Sequence, residues 1–262
     1  MNVIAIGANK FTGPAGWDEL STRQFLQLLN WRATPGRAKM GSDPAGRFVL
    51  LQLWYAIRYR HVRLLSAEKR VDLLAVLDFV DSLPGRWMLP TLTVNGRCWI
   101  GPGEGLKDLT FGEFLYAQPA RERYSEHGDP KELIKLATAL YRPRALFFQA
   151  RGDNHRQLFD AREYESQCED LSALPPSVLL GILLCYDACL SQFPAEHPNL
   201  YSGSTGGGGS WLDVGLSLAR QTPALGNFHE LEKTNLYLVM TTLDAIIKEN
   251  EQLTKKLEAT HG

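Results

Sequence analysis

The sequence predicts a mainly α protein: a multi-helix globular bundle carrying one small β-hairpin at about residues 90–100. Three observations predict it. Apolar residues recur at three- and four-residue steps along several stretches, the spacing of one helix face. Helix-start chemistry recurs too, as Ser or Thr with Gln or Glu three residues later, or as Asp directly before Pro. Against this, one segment alone, Thr91 to Ile100, reads as two short strands around a tight turn. A chain of 262 residues, 44% hydrophobic and 22% charged, can bury a substantial core.

Residues 1–16 carry Gly7, Gly13, Pro14 and Gly16 and read as an irregular lead-in. Leu20-Ser21-Thr22-Arg23-Gln24-Phe25 is a helix start. Ser21 caps, Gln24 reaches back, and Leu20 and Phe25 close a hydrophobic staple. The helix is expected from Thr22 to Arg32. After a loop from Thr34 to Gly41, Asp43 is expected to cap a helix with Pro44 in its first position, running to about Leu65. A third helix, about Ala67 to Leu83, presents Val71, Leu74, Leu77 or Asp78, and Val80 or Leu83, and Pro84-Gly85 stops it.

Thr91-Leu92-Thr93-Val94 and Arg97-Cys98-Trp99-Ile100 flank Asn95-Gly96, the pair that suits a type I′ turn. In that register Leu92 faces Trp99 and Thr93 faces Cys98. Leu109-Thr110-Phe111-Gly112-Glu113-Phe114 repeats the earlier helix start, with Thr110 and Glu113 as its capping box. Its helix is expected to end before Pro119. Pro130 opens another helix through about Ala139, ended by Tyr141-Arg142-Pro143. Pro175-Pro176-Ser177 starts a buried helix that stops near Phe193-Pro194. Residues 202–210 are a low-complexity Gly/Ser loop. The expected organisation is a mainly helical domain over 1–200, the loop over 201–210, and a helical segment over 211–262 packed on the same domain.

That last segment holds a helix expected from about Leu231 to Glu258. Leu236, Val239, Leu243, Ile246, Asn250, Leu253 and Leu257 follow alternating three- and four-residue steps, an a/d seam with Asn250 at an a position. The seam reads either as a partner-binding face or as the inner face of a helix packed on its own domain.

Net charge is −1, unevenly spread: residues 1–160 carry +6 and residues 161–262 carry −7. The apolar runs Phe48 to Ile57 and Val178 to Leu190 fall short of the ~20 residues a membrane helix needs. Met1 to Lys10 lacks the basic start of a secretory signal. Cys98, Cys168, Cys185 and Cys189 are too few for a disulfide framework in a chain this long, so a cytoplasmic protein that contacts no membrane is expected.

The sequence carries no recognised catalytic pattern. His-Glu-x-x-His, Cys-x-x-Cys and the Gly-x-Ser-x-Gly elbow are missing, and the Gly-rich stretches lack phosphate-loop context. Cys185 and Cys189 share a helix face and read as buried thiols, with Asp187 between them expected to face solvent. We therefore expect no enzyme, no metal and no cofactor. The alternatives are an unrecognised enzyme built on Asp187, Cys185 and Cys189, and an accessory protein contacting nucleic acid. For the latter, Arg58, Arg60 and Arg63 interleave with Tyr59 and His61, and Arg142 and Arg144 continue toward Arg151 and Arg156. The chain lacks the strongly basic balance of such modules, so nucleic acid is the secondary reading.

One resemblance adds to this. Trp17-Asp18-Glu19-Leu20-Ser21, Gly96-Arg97-Cys98-Trp99-Ile100-Gly101-Pro102, the hexad Leu109 to Phe114, and Leu140-Tyr141-Arg142-Pro143 occur in an order that resembles proteins encoded in bacterial prophage tail-gene clusters. Those are similar to phage tail assembly chaperones. The resemblance implies a non-enzymatic role in morphogenesis. Its partners would be other phage structural or assembly proteins; the a/d seam offers a second copy through the C-terminal helix as the other partner. It supplies no catalytic residues.

Overall fold

The computed structural model describes residues 1–33, 44–145, 155–202, 210–222 and 225–261. The predicted loop at 34–41, the cap Asp43, Arg151 and most of the Gly-rich loop lie outside them. In chain order the elements are strands β1 (Asn2–Ile6) and β2 (Asn9–Gly13), then helices α1 (Thr22–Arg32), α2 (Pro44–Tyr55), α3 (Tyr59–Val62) and α4 (Ala67–Ala75). Strands β3 (Thr91–Val94) and β4 (Arg97–Ile100), helices α5 (Phe111–His127) and α6 (Pro130–Leu140) and the short strand β5 (Arg142–Pro143) follow. The remainder is helical: α7 (Tyr164–Leu171), α8 (Pro176–Leu190), α9 (Phe193–Glu196), α10 (Pro198–Ser202), α11 (Trp211–Gln221), α12 (Phe228–Glu232) and α13 (Leu236–His261). The fold is mainly α, with two small antiparallel sheets, β1-β2 and β3-β4-β5. Its contacts divide it into two compact units, Met1–Leu89 with Leu174–Ala188, and Pro90–Ala173 with Cys189–Gly262.

In the first unit, residues 2–13 form a hairpin rather than an irregular lead-in. Ile6 pairs with Asn9 around Gly7, which sits at φ +61°. Helix α1 spans the expected residues. Ser21 Oγ accepts from Gln24 N–H, and Gln24 Oε1 accepts from Ser21 N–H at 3.0 Å. Phe25, Leu28, Leu29, Leu50, Leu51, Leu77, Val80 and Ile182 are fully or almost fully buried and make the core. Trp17 meets Phe25 and Phe79 edge-on at its margin.

Two helices of this unit differ in length from expectation. Helix α2 stops at Tyr55 because Ala56 takes the left-handed conformation, φ +57°, and α3 restarts at Tyr59. Helix α4 stops at Ala75 and gives way to a 3-10 turn at Asp78–Asp81. The tighter winding carries Leu77 and Val80 inward, three apart, while Val71 stays 66% exposed.

In the second unit the predicted hairpin forms in the predicted register, Leu92 opposite Trp99 and Thr93 opposite Cys98. Asn95 at φ +51° and Gly96 at φ +75° make the I′ turn. Gly96→Ala should therefore lower stability by about 1 kcal/mol, because a Cβ is disfavoured there. The urea midpoint reads this, and an unchanged midpoint would mean the turn is not held as described. A lone hairpin needs support, and β5 supplies it by pairing Pro143 with Trp99 and Arg142 with Ile100.

Helix α5 continues through Pro119 to His127, past its expected end. Proline removes one backbone hydrogen bond. The buried residues Phe114, Ala117 and Ala120 hold the turns around it, and Gly128 in the left-handed region closes the helix. Helix α12 crosses α5 at Gly112, where a Cβ would lie 2.9 Å from the Glu232 carbonyl oxygen, so only glycine allows the approach.

One stretch among the described residues, Pro176–Glu196, is long and apolar enough to cross a membrane. It outruns the apolar run because α9 follows α8 after a two-residue turn, Ser191 and Gln192. Core residues such as Ile182, Cys185, Tyr186 and Phe193 lie buried along it.

Candidate interaction surface

The hexad at Leu109 builds outward from its cap. Thr110 Oγ1 accepts from Glu113 N–H at 3.3 Å, and Glu113 Oε2 accepts from Thr110 N–H at 2.8 Å. The other carboxylate oxygen, Oε1, meets two guanidiniums: Arg156 Nη2 at 2.9 Å and Arg142 Nε at 3.3 Å. All three side chains are at least 95% buried. Asp108 adds a second carboxylate 3.5 Å from Arg156 Nη1.

The same two arginines satisfy the carbonyls left over at the C-terminal end of α6. Arg142 donates to the carbonyl oxygens of Thr138, Ala139 and Tyr141, and Arg156 donates to that of Leu140 at 2.8 Å. Positive charge also suits that end of the helix dipole. The Arg142 guanidinium lies 4.5 Å from the centre of the Phe159 ring. Burial pulls its pKa down to about 10, against the upward pull of Glu113, so it stays charged at neutral pH. One local cap thus becomes the centre of an ionic junction joining α5, α6, β5 and the 155–157 segment.

This junction sets the base of α13. Leu236 N–H donates to the Leu109 carbonyl at 2.8 Å, and Phe111 N–H donates to that of Thr234 at 2.9 Å. Asn235 caps α13 by accepting from Tyr237 N–H, and its Nδ2 donates to the Lys107 carbonyl at 2.6 Å. Tyr237 Oη donates to the Gly105 carbonyl at 2.8 Å. Further along, Asp244 accepts from Asn199 Nδ2 and Leu200 N–H at the start of α10. Burial pushes the Asp244 pKa up, but these hydrogen bonds outweigh it and hold the carboxyl below its ordinary value.

From this base the predicted seam divides. Leu236 and Val239 are 0% exposed and Leu243 is 8% exposed. Ile246 is half-buried, Asn250 is exposed, and Leu253 and Leu257 are 57% and 61% exposed. Every residue from Lys248 to Ala259 is exposed. One apolar stripe is therefore covered by the chain's own fold over its first half and uncovered over its second.

The basic stretches also divide. Arg58, Tyr59, Arg60, Arg63 and Arg144 are exposed. Arg142, expected among the nucleic-acid contacts, is 1% exposed and committed to the junction, as is Arg156, so neither offers a surface to phosphate. Sequence alone left this hidden, because arginines that cap helix carbonyls look like any basic run. The thiols of Cys185 and Cys189 are buried, and burial pushes Cys189 up to about 11, away from nucleophile chemistry. Asp187 is half-buried. Among the described residues no group of three or more His, Cys, Asp or Glu is placed to hold a metal ion. A cleft between the β1-β2 turn and the start of α4 is lined by Gly7, Asn9, Leu64, Leu65 and Lys69 among others, with Lys69 its one charged side chain.

Two residues that flank the uncovered seam were not singled out in the sequence. Glu249 and Lys256 each stand one place before an a position, at g, seven residues apart on one edge of the stripe. The heptad itself is the signal that marks them. No family model matches the chain, and neither the curated proteins nor the solved structures give a significant match.

Proposed function

We propose that this chain is a non-enzymatic cytoplasmic protein that works through helix-mediated protein–protein contacts, as a morphogenesis protein of the phage tail assembly kind. The observation that carries the reading is the exposed second half of the α13 seam, Asn250 to Leu257, on a helix whose base is fixed by hydrogen bonds to the Leu109 hexad. Exposed leucines at heptad spacing on one helix are what a partner helix recognises. The resemblance described above supplies the partner class: other phage structural or assembly proteins.

The test is co-expression with tail tube and tape-measure proteins encoded beside this chain. Co-purification should occur with the natural chain and disappear in a Leu253→Asp/Leu257→Asp variant that keeps its circular dichroism and melting temperature. A chain with no tail genes around it, or retention unchanged by both substitutions, overturns the reading.

A second reading keeps one observation in its favour: the exposed cluster Arg58, Tyr59, Arg60 and Arg63 on and beside α3, a cation–aromatic mix suited to nucleic acid. Arg144 is exposed as well, but without Arg142 and Arg156 beside it the second basic stretch adds little.

A further inference from the structure

We propose that the uncovered half of α13 pairs with the same segment of a second copy of this chain, in antiparallel orientation about a two-fold axis. The proposal rests on the reading that this face docks protein, and it names the occupant.

The orientation follows from what covers the first half of the seam. Leu236, Val239 and Leu243 lie on the same face as Leu253 and Leu257, and they are buried. Helices α5 and α10 pack against α13. Space on the seam side of residues 236–243 is thus already filled by the chain itself. A parallel mate would bring its own filled half to the same level on the same side, and the two would collide. An antiparallel mate carries its filled half past the far end of the helix. The fully exposed helix from Lys248 to Ala259 is about 18 Å long at 1.5 Å per residue, and half-buried Ile246 extends its stripe, so four seam positions can take part in the overlap.

The register follows from the heptad. Antiparallel pairing sets a against d. With the axis between residues 251 and 252, Ile246 faces the partner's Leu257 and Asn250 faces the partner's Leu253, each contact occurring twice. On the flank this register sets Glu249 against the partner's Lys256, and Lys256 against the partner's Glu249. Both pairs are attractive. In a parallel pair Glu249 would face Thr254 and gain nothing from charge. Sterics and charge select the same orientation. Asn250 opposite leucine weakens the apolar layer next to the axis, so the pair is a reversible one.

Charge exchange tests this on the full chain, by sedimentation or light scattering up to about 1 mM protein. The natural chain should show concentration-dependent dimers. Glu249→Lys turns both flanking pairs into Lys–Lys, and Lys256→Glu turns both into Glu–Glu. Each variant alone should dimerise about tenfold more weakly. Mixed in equal amounts, the two variants restore both attractive pairs and should recover dimers at natural strength, as should the double variant Glu249→Lys/Lys256→Glu. Both positions are exposed, so circular dichroism should not change.

A natural chain that stays monomeric, single variants that dimerise as the natural chain does, or a mixture that stays apart would each overturn the proposal. A monomer that still retains tail proteins through Leu253 and Leu257 would put a foreign helix on the seam and leave the functional reading standing. Dimers with the predicted charge pattern but no tail-protein retention would do the reverse.

Discussion

Glu113→Ala is expected to cost the protein about 3–5 kcal/mol, the largest loss of any single substitution considered. The reason is what remains behind. Arg142 and Arg156 are 1% and 6% exposed, and Glu113 is the carboxylate both of them share. Removing it leaves two buried cations facing each other, with Asp108, 3.5 Å from Arg156, as a remaining carboxylate at the junction. The desolvation of both guanidiniums is then offset chiefly by carbonyl oxygens. Two companion variants separate the contributions. Thr110→Ala removes the cap acceptor alone and should cost about 1 kcal/mol. Glu113→Gln keeps an oxygen able to accept from Thr110 N–H but drops the charge, so it should resemble Glu113→Ala far more than Thr110→Ala. Equilibrium urea unfolding measures all three. If Glu113→Gln falls with Thr110→Ala, the ionic junction contributes little and the cap is the whole role of this residue.

Leu236→Ala is the second large effect, about 2–5 kcal/mol for a fully buried leucine whose removal leaves a cavity. Its value lies in the contrast with Leu253→Ala, one seam position at the other end of the same stripe. With Leu253 57% exposed, that change should stay within about 0.5 kcal/mol in dilute protein. Thermal unfolding of the pair of variants reads the boundary between covered and uncovered seam directly. Equal losses would mean the second half of α13 is packed on the fold after all. The same boundary fixes what Leu243 can report: at 8% exposure, Leu243→Asp tests folding and not association.

Much of the helical framework was legible because its signals are local. Ser21 with Gln24 and Thr110 with Glu113 announce their helices within four residues, and Asn95-Gly96 announces its hairpin within two. What stayed illegible depends on distance. Nothing near Ala56 predicts a left-handed residue, so α2 reads as longer than it is. Pro119 reads as a stop because the burial of Phe114, Ala117 and Ala120 around it is a tertiary fact. The first hairpin is hidden because Gly7, Gly13, Pro14 and Gly16 outweigh a short apolar run, Val3 to Ile6, with no alternation to mark a strand. At the candidate surface, the stripe and its period were legible in full. Which half is covered was not, since the residues that cover it lie elsewhere in the chain. Arg142 and Arg156 show the same limit: a basic run on paper, an internal cap in the fold.

The clasp between the Leu109 hexad and the base of α13 also has a consequence in time. Asn235 and Lys107 are 128 residues apart in the chain. At ribosomal speeds of about 5–20 residues per second, the loop at 105–111 emerges roughly 6–25 s before the strand-like segment that completes it. Thr110 can cap α5 at once, since its partner is three residues away, and Arg142 and Arg156 arrive soon after. Leu109 and Phe111, both 0% exposed in the finished fold, must wait for Leu236 and Thr234 as their backbone partners. During synthesis this protein therefore passes through a stage with its central junction assembled and its C-terminal clasp open. Chains stalled or cut before residue 234 should be the ones that aggregate.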